Sequence, residues 1–268
     1  MVNFLIYVGQ LVLFTLGVPV VCGLIAWLAE RLFLRLCGAG SERVAYISSV
    51  IGTPIHELGH AVMCVLFGHK ITEMKLLLPP HHPSGTLGYV SHSYNKKNLW
   101  ARLGNLFIGM GPIFSGLGVM ILVLWLCFPA QWGNYLTSSQ ELLSAGANIL
   151  ELLQCAFSLL LSMPQAFVGG KWWAVLIGTI VILSVSQHIT LSGADIKGSL
   201  SAFPLYLLLL AVFGVVTETI GIQGAVLHGL EFFSICLFSL FCIVIAFSLV
   251  WIAIALLIYC ARCAIRWF

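Results

Sequence analysis

Charge is what this chain has least of: 8% of its 268 residues are Asp, Glu, Lys or Arg, and 60% are hydrophobic. Asp195 is the sole aspartate. Such a composition excludes an ordinary soluble domain, in which roughly a quarter of residues are charged. The net charge of +3 offers no electrostatic footprint for nucleic acid and suits the basic rim of a membrane protein. Internal repeats and low-complexity tracts are absent, and the longest polar interval is residues 69–97. No Lys or Arg precedes the first apolar run, whose core is too long for a cleavable signal, so an uncleaved anchor is expected. Cysteine is not scarce, yet six of the nine (Cys22, Cys64, Cys127, Cys155, Cys236 and Cys242) lie in apolar runs. There a thiol behaves as a small hydrophobe, and no disulfide framework is expected. Cys260 and Cys263 have C-x-x-C spacing at the end of an apolar run, a pattern too common to assign a metal or redox role by itself.

What the chain has in abundance is apolar length. Crossing roughly 30 Å of hydrocarbon takes about 20 apolar residues, and runs of that order lie at 4–28, 45–67, 103–128, 172–188, 201–219 and 232–260. The stretch 149–163 is shorter and carries Glu151 and Gln154; it fits an interfacial helix, a re-entrant segment or a seventh span. The fold class expected is an all-α polytopic membrane protein of about six transmembrane helices, a single integral domain over residues 1–268. With six spans, Lys70, Lys75, Lys96, Lys97, Arg102, Lys197, Arg262 and Arg266 share one side, and Arg31, Arg35, Arg43 and Lys171 the other. The bias places both termini in the cytoplasm and 128–150, which has no Lys or Arg, outside.

The second run contains His56-Glu-Leu-Gly-His60. On a helix these histidines leave the same face one turn apart, a spacing that suits two ligands of a tetrahedral zinc ion, with Glu57 beside them as a base for water. Ionisable groups within hydrocarbon are expensive and usually functional. Three of them in so short a stretch need partners, which a metal supplies. Directly afterwards, 71–77 and 86–92 alternate as strands do, separated by Pro- and Gly-rich turn formers. A small membrane-associated β-hairpin is therefore expected after the metal-binding helix, its edges closed by protein or by a guest strand. The third span is rich in small residues, Gly104, Gly109, Gly111, Ser115, Gly116 and Gly118, which permit close helix approach, and Pro112 marks a local break.

A catalytic zinc commonly has three protein ligands. Position 66 is Leu, which excludes the metzincin arrangement. Glu73, His69, His81, His82, His92, His188 and Asp195 remain. His81, His82 and His92 fall in the polar insert and read as loop residues. Asp195 lies in Ser192-Gly-Ala-Asp195, where it serves equally well as a ligand or as the acidic member of a capping box. His188, at the end of a span, suits either a direct ligand or a hydrogen-bond partner of one.

Together, His56-Glu-Leu-Gly-His60 in a membrane span, a strand-like insert, Gly111-Pro112 in the next span and the late Asp195 resemble the site-2 protease family of intramembrane zinc metalloproteases, in particular its small bacterial branch without a regulatory periplasmic domain. The likeness covers residues 45–198. Ser115 stands where the family's Gly-Pro-x-x-Asn has Asn, and its Leu-Asp-Gly becomes Ala194-Asp195-Ile196-Lys197-Gly198. The resemblance implies zinc on His56, His60 and Asp195, with Glu57 as catalytic base. It also implies a substrate-positioning role for Gly111, Pro112 and Ser115. Substrates would be transmembrane helices of other proteins, cut after local unwinding near the cytoplasmic side of a bacterial inner membrane. Two other classes accommodate the same residues: a metal-ion transporter, and a catalytically silent scaffold that binds membrane helices.

Overall fold

Apolar length sets the architecture. The computed structural model describes every residue except Met1, Ala39, Gly40, His81, 83–85, Ala147, Gly170 and 266–268, and no side chain is described at Val2, Ser41, Glu42, Ala264 or Ile265. His81, part of the expected turn and Arg266 therefore lie outside the described residues. Helix α1 (Val2–Val12) continues through a π-helical turn, Leu13–Gly17, into α2 (Val18–Cys37). Next come α3 (Ser41–Leu66), strands β1 (Lys70–Lys75) and β2 (Tyr89–Ser93), α4 (Leu99–Cys127), α5 (Pro129–Ser144) and α6 (Ile149–Ser162). A 3-10 turn, Met163–Gly169, leads to α7 (Trp172–Ser186), α8 (Gly193–Leu200), α9 (Phe203–Ile220) and α10 (Gln223–Ile265). The protein is an all-α, multi-pass membrane protein with one small antiparallel sheet.

Among the described residues six helical segments are long and apolar enough to cross a bilayer, but they are not quite the six expected. Ile149–Val168 is one of them. The charge that made this stretch ambiguous sits at its very start, where Glu151 accepts from the backbone N–H of Asn148 at 2.8 Å while Asn148 caps the helix in return. That reciprocal cap keeps the one charged residue of α6 at its N-terminus. The expected span at 172–188 is instead a 15-residue helix, about 22 Å long at 1.5 Å per residue, and short of the hydrocarbon thickness. It ends at Ser186; Gln187 and His188 form a turn, and residues 189–191 carry no regular structure before Ser192 caps α8.

Helix α4 is the hub, buried along much of its length and packed by α3, α7, α8 and α9. Two contacts explain how polar elements reach its centre. At the crossing of α3 and α4 a Cβ on Gly59 or on Gly111 would lie 2.5 Å from the other's carbonyl oxygen, so only glycine allows this approach. At Gly109 a Cβ would stand 2.7 Å from the Asp195 carbonyl oxygen, so α8 rests directly on the α4 backbone. Large side chains of α4, α7 and α10 (Ile113, Leu124, Ile182, Phe241, Val244) fill the main core. Helix α9 lies at the edge and is pinned to α1 by a 2.7 Å hydrogen bond between Tyr7 and Thr217. The hairpin pairs Ile71 with His92 and Lys75 with Tyr89, with a bulge between Ile71 and Glu73. Its strands are shorter than the sequence pattern; beyond them Leu78 N–H still reaches the Leu87 carbonyl at 2.7 Å.

Candidate metal centre

Each imidazole of the motif is oriented by a backbone carbonyl from another element. His56 Nδ1–H donates to the His188 carbonyl at 2.9 Å, and His60 Nδ1–H donates to the Ile108 carbonyl at 2.7 Å. A carbonyl oxygen can only accept, so both Nδ1 atoms carry the hydrogen, and in the neutral rings both Nε2 atoms present lone pairs. Those two Nε2 atoms face each other at 3.2 Å. Two lone pairs so placed repel, and a cation between them removes the conflict. Ligands at the corners of a zinc tetrahedron with bonds near 2.0 Å lie about 3.3 Å apart. The donor atoms therefore fit such an ion, and the carbonyls behind the rings are the outer partners that a ligating histidine normally has.

The Ile108 carbonyl is available for a reason written in the sequence. Its partner in a regular helix would be the N–H of residue 112, and Pro112 has none. Proline thus frees a carbonyl one turn earlier, and His60 uses it. At the α7 end, Gly52 lets the His188 ring pack against α3, since a Cβ there would lie 2.3 Å from His188 Nδ1. The His188 ring itself is bonded through Nδ1 to the Ser184 carbonyl at 2.9 Å. Its backbone, rather than its ring, orients His56.

Asp195 combines the two roles that its sequence context left open. Oδ2 accepts from the Ser192 N–H at 2.8 Å, and the Ser192 hydroxyl accepts from the Asp195 N–H at 3.1 Å, completing a capping box. Oδ1 meanwhile lies 3.2 Å from His60 Nε2, and Oδ2 lies 3.8 Å from His56 Nε2. Ligand atoms of His56, His60 and Asp195 all lie within 4.8 Å of one another. His188 is not part of that group.

Glu57 is buried, 6% exposed. It lies on the wall of a cleft of about 590 Å³ shared with the three ligands and with Tyr89, Val90 and Asn105. The chain just before β2 lies against it: a Cβ on Gly88 would be 2.9 Å from Glu57 Cγ and 2.9 Å from Thr53 Cγ2. Gly111, Pro112 and Ser115 are placed at the α3–α4 crossing instead of in the cleft lining. There the Ser115 hydroxyl donates to the Ile55 carbonyl at 2.9 Å.

The remaining candidates go elsewhere. Glu73 on β1 accepts from the Tyr89 hydroxyl at 2.7 Å, and His82 stays in the connection between the strands. His92, expected in a loop, lies on β2 and meets His69 with Nδ1 atoms 2.9 Å apart. Sequence reasoning missed that meeting and also missed the Ile108 carbonyl. The spacing of Ile108 four residues before Pro112 was the signal available for the second; the first depends on strand register. No family model, no curated protein and no solved structure matches this chain.

Proposed function

We propose that the protein is an intramembrane zinc metalloendopeptidase of the site-2 type, which hydrolyses a peptide bond in or near the transmembrane segments of membrane-protein substrates. The observation that carries this reading is the pair of bare Nε2 lone pairs on His56 and His60, 3.2 Å apart, with the Asp195 carboxylate beside them and Glu57 on the same cleft wall. His56, His60 and Asp195 would hold the ion. When bound, zinc supplies Lewis-acid polarisation of the scissile carbonyl and makes water easier to deprotonate. Glu57 takes a proton from water and delivers it to the leaving nitrogen. The Ile108 and His188 carbonyls keep both imidazoles in the ligating tautomer throughout.

A substrate helix has its carbonyls already bonded and its backbone shielded, so it must unwind before it can react. Strand β2 pairs only with β1 among the described residues and contributes Tyr89, Val90 and His92 to the cleft. Its other edge supports capture of an extended peptide by β-addition. The basic residues that flank the motif side support a site near the cytoplasmic face of a bacterial inner membrane. The test is Glu57→Gln in the full-length protein, reconstituted with a transmembrane substrate. Zinc content should hold while cleavage stops. Cleavage at the wild-type rate would remove Glu57 from the mechanism, zinc flux without cleavage would favour a transporter, and binding without turnover in the wild type would favour a scaffold.

A further inference from the structure

One turn beyond His60, α3 carries Cys64, and the helix then ends in a defined way. Gly68 takes φ +72°, its N–H bonds the Val65 carbonyl at 3.2 Å, and His69 N–H bonds the Cys64 carbonyl at 2.8 Å. This is a Schellman stop, in which the residue after the glycine is folded back onto the last full turn. The consequence is local and dictated by sequence: His69 is held against Cys64. Strand β2 then brings His92 to the same spot through its pairing with Ile71. The Cys64 thiol, fully buried, and the His69 ring, 6% exposed, lie in the protein interior. Tyr94 stacks on His69 with ring centroids 4.5 Å apart.

His69 Nε2–H donates to the Ala101 carbonyl at 2.7 Å, so in the neutral ring Nδ1 is the atom with a free lone pair, able to accept a proton or a metal. That atom faces His92 Nδ1 at 2.9 Å. Cys64 Sγ completes a set of three donor atoms that lie within 4.8 Å of one another. We propose that Cys64, His69 and His92 form a second zinc site, with three protein donors, that ties the β-hairpin to the end of α3. One thiolate and two imidazoles are a donor set that a borderline-soft d10 cation prefers. The Ala101 carbonyl plays the part here that Ile108 and His188 play at the first centre. Because His92 also lines the cleft, occupancy of this site sets the position of the strand that borders Glu57. The assignment does not rest on the peptidase reading.

Cobalt substitution of the full-length protein separates the two centres, since only the second contains sulfur. The wild type loaded with Co²⁺ should show thiolate-to-cobalt charge-transfer absorption. Cys64→Ser should abolish it and lower zinc content by about one equivalent per chain. His92→Gln, a milder change at a half-buried position, should weaken metal retention without loss of fold. The double variant His56→Ala/His60→Ala should keep the absorption. A wild type without the thiolate signal, or a signal that survives Cys64→Ser, overturns the second site. If His56→Ala/His60→Ala loses no zinc, the first centre fails and the second still stands or falls by the Cys64 result.

Discussion

The two clusters of ligating side chains stand on one helix, with His60 and Cys64 a single turn apart, and differ in what surrounds them. His56, His60 and Asp195 open onto a cleft of about 590 Å³, with Glu57 on its wall. Cys64 and His69 are closed off from that cleft, and His92 alone touches both environments. Each cluster offers three protein donors, so donor number does not separate them; the first lines the cleft with all three, the second with His92 alone. The contrast lies in access to water, which a hydrolytic metal would need and a purely binding one would not.

The hardest test of that contrast is His56→Ala with His60→Ala. Cleavage should be abolished and one zinc lost, while hairpin protection from hydrogen exchange is retained. If the hairpin loosens as well, the clusters are one coupled unit. Next in size is Glu57→Gln, for which cleavage should fall about 10²- to 10⁴-fold with both metals retained, as expected for loss of a general base; metal analysis beside a substrate assay checks both halves. Pro112→Ala restores an N–H that competes with His60 for the Ile108 carbonyl. It should weaken zinc at the first centre by about ten- to a hundred-fold, the usual effect of disturbing an outer partner, and leave the Cys64 site unchanged. Chelator competition would show it, and equal weakening at both sites would mean general damage to α4. The smallest effect belongs to Ser192→Ala. It removes a cap worth about 1 kcal/mol, and it should lower thermal stability slightly while the backbone bond from residue 192 to Asp195 keeps zinc in place.

The polar exceptions in an apolar chain were the readable part of the site. His56, Glu57 and His60 stood out because hydrocarbon penalises each of them, and their periodicity placed them on one helix face. The hairpin was readable from alternation and turn formers. Its strand limits were not, since Lys70–Lys75 and Tyr89–Ser93 are set by which residues can pair around the bulge at Ile71/Glu73. Helix α7 looked like a span because hydropathy counts apolar residues without knowing where the backbone leaves the helix. The region from Ile149 to Val168 looked doubtful because hydropathy counts Glu151 as a cost without seeing the cap it forms.

Composition and spacing alone established a polytopic helical protein, two imidazoles one turn apart with a carboxylate between them, and glycines where α4 must be approached. Those properties are local: transfer free energy, helical period and the lack of a Cβ belong to residues wherever they are placed. Only the folded chain decided that Asp195 caps α8 and faces the histidines at once, that Pro112 gives up a carbonyl for His60, and that His92 reaches His69 and Cys64. Each of those joins groups far apart in sequence, and hydrogen bonds and metal-ligand geometry act over about 3 Å, a distance that sequence separation does not encode.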